Sequence, residues 1–198
     1  MKFNYCEETI WEENWQRDYK YGVILFIPPE PLFSTVNELR KTHDPKSALS
    51  CCPHISLTMP LKKPITSNEI DMINSTLQTI PSFRVKYGPV INFLPNANGI
   101  VFNIDNQNQF QDLYRTIEEI PGLEFHDRKW PFKAHLTIAE FINEVETRRL
   151  TESLNNSLSS DILFGEFPCE KVVYMIPDEK FEFKESYTFK LNTVTKII

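Results

Sequence analysis

Two stretches of the chain place a histidine two residues before a hydroxyl side chain, each in a strand-like pattern. The stretch PHISLTMP contains His54 and Ser56, and the stretch KAHLTIAEF contains His135 and Thr137. Because side chains of a β-strand alternate between two faces, each histidine shares a face with its hydroxyl residue, while apolar residues occupy the other face. The pattern therefore predicts two similar strands that each direct an imidazole and a hydroxyl toward an opening.

Such a pair suits chemistry at phosphorus. Imidazole has an unperturbed pKa of about 6.5, so one copy can act as a base while another acts as an acid near neutral pH. In-line displacement requires one group to deprotonate the nucleophile and a second to protonate the leaving oxygen. The hydroxyls of Ser56 and Thr137 would donate hydrogen bonds to the non-bridging oxygens. This scheme requires no metal.

Several nearby residues have simpler interpretations. Taken singly, either motif histidine could merely cap a strand or bond within a core, and only the matched pair favours catalysis. Thr58 is expected to be strand scaffold, since threonine suits strands. His43 and His126 have no hydroxyl residue two positions later, and we expect them at the surface or in loops.

A weaker hypothesis concerns the rim of the predicted site. Lys62 follows the first motif and Lys133 belongs to the second, so both could add positive charge near a phosphate, although a solvated loop is the simpler interpretation. Phe132 and Trp130 could simply pack, or either could stack on a base.

The elements that carry these residues follow from apolar periodicity and from Pro, Gly and Asn turn signals. Met59 is assigned to the apolar face of the first motif strand, and Glu140, on the apolar face of the second, marks its end. The predicted strands are 21–27, 55–59, 83–87, 90–94, 100–104, 133–141, 164–167, 171–176 and 182–191. The predicted helices are 31–43, 67–80, 106–120 and 143–158, with 44–50 as a polar connection.

The two halves of the chain repeat the order strand, helix, histidine strand, helix and strands. This repeat predicts an α+β fold of two pseudo-symmetric lobes of mostly antiparallel sheet, with flanking helices around a central cleft. We expect one bilobal domain over residues 1–198. Residues 1–20 would be an N-terminal extension that forms a short helix laid over the body.

Composition limits the class of protein. The chain has 198 residues, 41% hydrophobic content and a net charge of −6, which is typical of a packed globular protein and not of a general nucleic-acid coat. Its four cysteines lack zinc-ligand spacing, so we expect free thiols. Without a signal peptide or a long apolar run, the expected location is the cytoplasm, with the nucleus left open, and no membrane association.

The sequence resembles the 2H phosphoesterase superfamily, which includes the so-called 2′-5′ RNA ligases and the cyclic nucleotide phosphodiesterases. Pro53-His-Ile-Ser-Leu and Ala134-His-Leu-Thr-Ile match its paired His-x-Ser/Thr-hydrophobic motifs, and the resemblance runs from Tyr21 to about Leu191. One departure is Ala134, where the family often has proline. Since that proline shapes the backbone, its absence bears on geometry and not on chemistry.

The resemblance implies metal-independent hydrolysis of 2′,3′-cyclic or 2′-5′ phosphodiesters of RNA or small nucleotides, with no cofactor. It assigns general acid and base work to His54 and His135, without saying which is which, and phosphate binding to Ser56 and Thr137. The expected partner is a nucleotide or an RNA terminus, and the expected state is a monomer. The alternative is a non-catalytic RNA- or nucleotide-binding module that keeps the cleft.

Overall fold

The computed structural model describes residues 2–193 as two four-stranded sheets with helices packed against them. Met1 and residues 194–198, which the predicted domain limits include, lie outside this description. The strands are β1 Val23–Phe26, β2 Ile55–Ser56, β3 Phe83–Asn92, β4 Ile100–Ile104, β5 His135–Ala139, β6 Gly165–Cys169, β7 Lys171–Pro177 and β8 Phe183–Lys190.

All strand pairs are antiparallel, which confirms the predicted fold class. The first sheet has the order β2-β1-β7-β8 and the second has the order β5-β4-β3-β6. Each sheet ends at the strand of its histidine motif, β2, which His54 immediately precedes, or β5, which begins at His135. This common position gives the lobes their pseudo-symmetry. The lobes are not the two halves of the chain, however, because β3 joins the second sheet and β7 and β8 complete the first.

Four of the helices, α1, α3, α4 and α5, follow the predicted amphipathic segments, and two of these four begin at side-chain caps. Thr66 accepts a hydrogen bond from the Glu69 N–H at the start of α3, and Asn143 accepts one from the Glu146 N–H at the start of α5. The helices are α1 Leu32–His43, α2 Pro45–Ser50, α3 Ser67–Leu77, α4 Gln107–Glu118, α5 Glu144–Ser157 and α6 Ser160–Leu163.

Three predicted elements differ in type or continuity from the structure, and β2 is shorter than the predicted strand 55–59. Residues 44–50 are not a simple connection, because Asp44 caps α2 by accepting a hydrogen bond from the Ser47 N–H, with Pro45 in the first turn. The two strands predicted about Gly88 form one strand, β3, whose register shifts at a bulge where Gly88 has φ +103°. The predicted N-terminal helix consists of two 3₁₀ turns, Glu8–Ile10 and Asn14–Tyr19.

A continuous hydrophobic core joins the two sheets. Phe26 of β1 stacks on Phe167 of β6 with ring centroids 5.4 Å apart, and Phe26 also meets the edge of Phe110 from α4. These rings belong to a single buried cluster that takes residues from both sheets and from five of the helices. Burial of apolar surface therefore stabilises the lobes together and fixes the distance between their edge strands. Across residues 2–193, no helix has the length and apolar character required to cross a membrane.

Candidate active site

The edge strands β2 and β5 bring the two motifs to one cleft. A cavity of about 200 Å³ between the lobes is lined by His54, Ser56, His135 and Thr137, together with other side chains. The residues that alternate with them in the motifs, such as Ile55 and Leu136, are fully buried. The alternation predicted from the sequence therefore places all four motif side chains on the cleft surface.

The two imidazole rings are held in the same way. Nδ1 of His54 lies 2.7 Å from the carbonyl oxygen of Cys52, and Nδ1 of His135 lies 2.6 Å from the carbonyl oxygen of Lys133. Because a carbonyl oxygen can only accept a hydrogen bond, each neutral ring carries its proton on Nδ1. Each Nε2 is then unprotonated and can accept a proton in the cleft.

Both histidines are neutral near pH 7. The pKa of His54 is lowered to about 4, chiefly by desolvation in the cleft and also by the positive charge of Arg40 and by the neighbouring His135, against the hydrogen bond to Cys52. Desolvation also lowers the pKa of His135, helped by the charges of Lys133 and Arg128. The mutual effect of the rings means that protonation of one disfavours protonation of the other.

The two hydroxyl groups are available to a ligand. Within residues 2–193, neither the Ser56 Oγ nor the Thr137 Oγ1 has a hydrogen-bond partner, although both residues line the cleft. Thr58 differs, because its buried Oγ1 accepts a hydrogen bond from the Ile24 N–H at 3.1 Å. Thr58 thus ties the end of the motif to β1, as expected of a scaffold residue.

Two arginines cross between the lobes in opposite directions. Arg40 of α1 donates to the carbonyl of Thr137 at 3.2 Å, and Arg128, from the segment before β5, donates to the carbonyl of Leu57 at 3.1 Å. Each guanidinium therefore comes from a segment that precedes its own histidine strand and bonds to the backbone of the other motif. Both side chains also line the cleft, and in both the buried Nε has no partner within the described chain.

Two motif residues point differently from the prediction. Glu140 does mark the end of β5, but its side chain lines the cleft instead of continuing the apolar face. The reason is that the Glu140 and Phe141 N–H groups both donate to the Asp44 carboxylate, which turns the chain away from the sheet. Met59 also lines the cleft, because β2 ends at Ser56 and the strand alternation ends with it.

The three predicted rim residues lie outside the cleft lining. Lys62 is 3.7 Å from the Asp127 carboxylate, and the Lys133 ammonium lies 5.2 Å from the ring centre of Phe93. Phe132 stacks on Tyr114 with centroids 4.8 Å apart. Two of them contact the site indirectly, since the Lys133 carbonyl holds His135 and the Phe132 ring supports the Arg128 guanidinium.

Sequence reasoning missed Arg40 as a site residue. Its signal is its spacing: Leu32, Val36 and Arg40 recur every four residues, which places a guanidinium on the buried stripe of α1. The aromatic residues that close one end of the cleft, including Trp15 and Phe181, were also missed. They lie far from the motifs in sequence, and no local pattern connects them to the histidines.

Other chemistry-bearing residues do not assemble into a second centre. Within the described chain, no group of three or more His, Cys, Asp or Glu side chains is arranged to hold a metal ion. All four cysteines are free. His43 ends α1, and His126 lies between α4 and β5 with its Nδ1 3.9 Å from the Asp18 carboxylate; neither lines the cleft.

The two-sheet architecture is shared with solved structures. The crystal structure of LigT of E. coli complexed with 3′-AMP superposes with a TM-score of 0.56, at 10% identity, covering 86% of this chain and 97% of LigT. TT0787 of Thermus thermophilus superposes with a TM-score of 0.52, at 14% identity, covering 87% of this chain and 98% of that chain. At these identities the likeness defines the fold alone.

Sequence comparison gives the family. The model of the 2′-5′ RNA ligase superfamily matches residues 28–180. A protein of Oceanobacillus iheyensis that carries a phosphoesterase name is 27% identical over 129 residues, which are 64% of this chain and 74% of that protein. The chain belongs to the 2′-5′ RNA ligase superfamily. The predicted family is thereby confirmed.

Proposed function

We propose that this protein is a phosphodiesterase that hydrolyses 2′,3′-cyclic or 2′-5′ phosphodiesters of RNA or small nucleotides, with no metal in the catalytic step. His54 and His135 share the general base and general acid roles, and Ser56 and Thr137 bind the non-bridging oxygens. The observation that carries the proposal is the convergence of two matched His-x-hydroxyl pairs, one from each lobe, on one cleft.

The arrangement supports each chemical step. A neutral imidazole with an unprotonated Nε2 can remove the proton from the attacking water or hydroxyl. The other imidazole, once protonated, can give its proton to the leaving oxygen. The anionic phosphodiester favours that protonation, because a nearby negative charge raises the pKa of an imidazole. Hydroxyl donors without protein partners can stabilise the charge that develops on phosphorus-bound oxygen.

Relatives support the substrate class. LigT of E. coli has been crystallised in complex with 3′-AMP and with ATP, so LigT binds nucleotides. From this likeness we infer that the ligand of the present protein is also a nucleotide or an RNA terminus.

The test measures hydrolysis of nucleoside 2′,3′-cyclic phosphates and 2′-5′ dinucleotides in the presence of EDTA. The wild-type protein should turn over at least one of these substrates, and His54→Ala and His135→Ala should each lower kcat by about 100-fold or more. His126→Ala is the matched control, because that histidine lies outside the cleft.

Two outcomes would contradict the proposal. Full activity in either cleft variant would rule out the shared histidine chemistry, and loss of wild-type activity in EDTA would rule out metal independence. Tight binding of these nucleotides without turnover would instead favour the alternative function, a non-catalytic nucleotide-binding module.

A further inference from the structure

One end of the cleft is formed by aromatic residues from two segments, one before and one after the residues that the superfamily model matches. Trp15 and Tyr19 belong to the second 3₁₀ turn, and Phe181 and Phe183 belong to the turn into β8 and to its first residue. All four line the same cavity as the two histidines, whereas the superfamily model matches only residues 28–180. We call these four residues the aromatic end of the cleft.

The rings of the aromatic end pack edge to face. The centroids of Trp15 and Phe181 are 5.3 Å apart, those of Tyr19 and Phe183 are 5.5 Å apart, and in both pairs the ring planes are almost perpendicular. In an edge-to-face pair the edge of one ring covers a face of the other, so a face stays open to a further flat group only where a ring of the cluster is exposed. Trp15 remains 39% exposed although it takes part in this cluster.

The N-terminal segment is anchored on both sides of the cleft, which fixes Trp15 in place. The indole N–H of Trp15 donates to the Glu13 carboxylate at 2.6 Å, and Glu13 pairs with Lys46 of α2 at 2.7 Å. On the other side, the indole N–H of Trp11 donates to the carbonyl of Asp178 at 3.1 Å. The segment therefore bridges α2 and the turn between β7 and β8.

The turn that carries Phe181 adopts an unfavourable backbone conformation. Phe181 has φ +61°, in the left-handed region that bulky residues rarely adopt. The Asp178 carbonyl accepts a hydrogen bond from the Phe181 N–H, and the Asp178 carboxylate accepts one from the Glu182 N–H, so the turn is held firmly. Conformations of this kind concentrate at ligand sites, where they aim a side chain that a relaxed turn would misplace.

Tyr19 adds a polar group to this apolar surface. Desolvation raises its pKa to about 12, and the nearby Glu140 carboxylate raises it too, so the phenol keeps its proton. Within residues 2–193, the Tyr19 hydroxyl has no hydrogen-bond partner. Flat apolar faces with one free donor complement a nucleobase, which has a π-face and acceptor atoms on its edge.

We propose that the aromatic end is a nucleobase subsite that makes this protein select phosphodiesters bearing a base over phosphodiesters of the bare sugar. The inference rests on the proposed function, since the phosphate is taken to lie between the two histidines. It adds that Trp15, Tyr19 and Phe181, which the family match does not include, determine the choice of substrate.

The experiment compares adenosine 2′,3′-cyclic phosphate with the base-free 1-O-methylribose 2,3-cyclic phosphate. The wild-type protein should favour the nucleoside substrate in kcat/KM by about 10-fold or more, and Trp15→Ala should reduce this ratio by about 10-fold, as expected for one lost stacking contact. Trp130→Ala is the matched control, since Trp130 is 68% exposed and lies outside the cleft. Its ratio should equal that of the wild type.

Equal kcat/KM for both substrates in the wild type would overturn the subsite. An equal fall in kcat/KM for the nucleoside and the base-free substrate in Trp15→Ala would overturn it as well. If Trp15→Ala fails to fold by circular dichroism, Tyr19→Phe provides the test, with an expected fall in the ratio of about 3-fold from loss of one hydrogen bond. An unchanged ratio in Tyr19→Phe would then overturn the proposal.

If instead the proposed function is wrong, the wild-type protein hydrolyses neither substrate. Calorimetric titration with adenosine 2′-monophosphate and 1-O-methylribose 2-phosphate then tests the subsite alone. Tighter binding of the nucleotide that is lost in Trp15→Ala would support the subsite, and equal binding of both compounds by the wild type would overturn it.

Discussion

The His54 and His135 sides of the cleft share one plan and differ in their surroundings. On each side an edge strand presents an imidazole and a hydroxyl, a carbonyl two residues earlier holds Nδ1, and an arginine arrives from the opposite lobe. The His54 strand is only two residues long, whereas the His135 strand has five. The shared plan indicates shared chemistry, and the differences indicate that each side depends on its own supports.

The arginines show the difference most clearly. Arg40 is buried, and besides Thr137 it donates to the carbonyls of Ser47 and Cys51. Arg128 is half-buried and lies over the Tyr114 and Phe132 rings, 4.7 Å and 5.2 Å from their centres. Arg40 is thus held by three backbone carbonyls, and Arg128 by one carbonyl and two aromatic faces. The first arrangement costs more to disrupt, because carbonyls that lose their donor remain buried.

The largest expected effect concerns the two histidines together. If they act in the same step, the double variant His54→Ala/His135→Ala should lose little more activity than either single variant, which should each lose about 100- to 10,000-fold. Steady-state kinetics on a cyclic nucleotide measure this. Losses that multiply in the double variant would show that the two sides act independently.

The Ser56 and Thr137 hydroxyl groups should contribute less to catalysis than the histidines do, and the two contributions should be similar. Ser56→Ala and Thr137→Val remove the donors with little change of shape, and each should lower kcat by about 100-fold, as for loss of one donor to a developing anion. Thr58→Val serves as a contrast, because its hydroxyl bonds to the Ile24 N–H and should affect stability instead. A loss confined to one of the two cleft hydroxyls would mean that the phosphate binds to one lobe only.

The arginines should differ in their effect on stability. Arg40→Met should lower the free energy of unfolding by about 3 kcal/mol, because it leaves buried carbonyls without donors, and Arg128→Met should lower it by about 1 kcal/mol. Urea denaturation measures both. Arg40→Met should also raise the pKa of His54, since the guanidinium charge lowers it in the wild type. Equal destabilisation by the two variants would remove the distinction between the two supports.

The smallest effect concerns pH. Since the pKa values of both histidines lie below the usual value of about 6.5, both rings are neutral at pH 7 in the free protein, and the general acid gains its proton only at lower pH. The profile of kcat/KM should therefore be bell-shaped with its maximum below about pH 6.5. A maximum above pH 7 would show that one of the histidines has a raised pKa, contrary to its surroundings.

Much of the site could be predicted from the amino-acid sequence. The period-two alternation in PHISLTMP and KAHLTIAEF predicted which side chains line the cleft, because one face of each strand must be buried. It failed at Met59 and Glu140, where the strands end and the alternation no longer governs direction. The helices were predicted by apolar periodicity, and α2 was missed because six residues contain too few turns to show it.

The composition of the lobes and the surroundings of the histidines depend on contacts between segments that are distant in the chain. Strands β7 and β8 complete the first sheet although they follow the whole second lobe in the chain, and long-range pairing of this kind has no local signal. The same holds for Trp15 and Phe181, which meet at the cleft from opposite ends of the sequence. Packing of distant segments, not local pattern, therefore built the arginine supports and the aromatic end of the cleft.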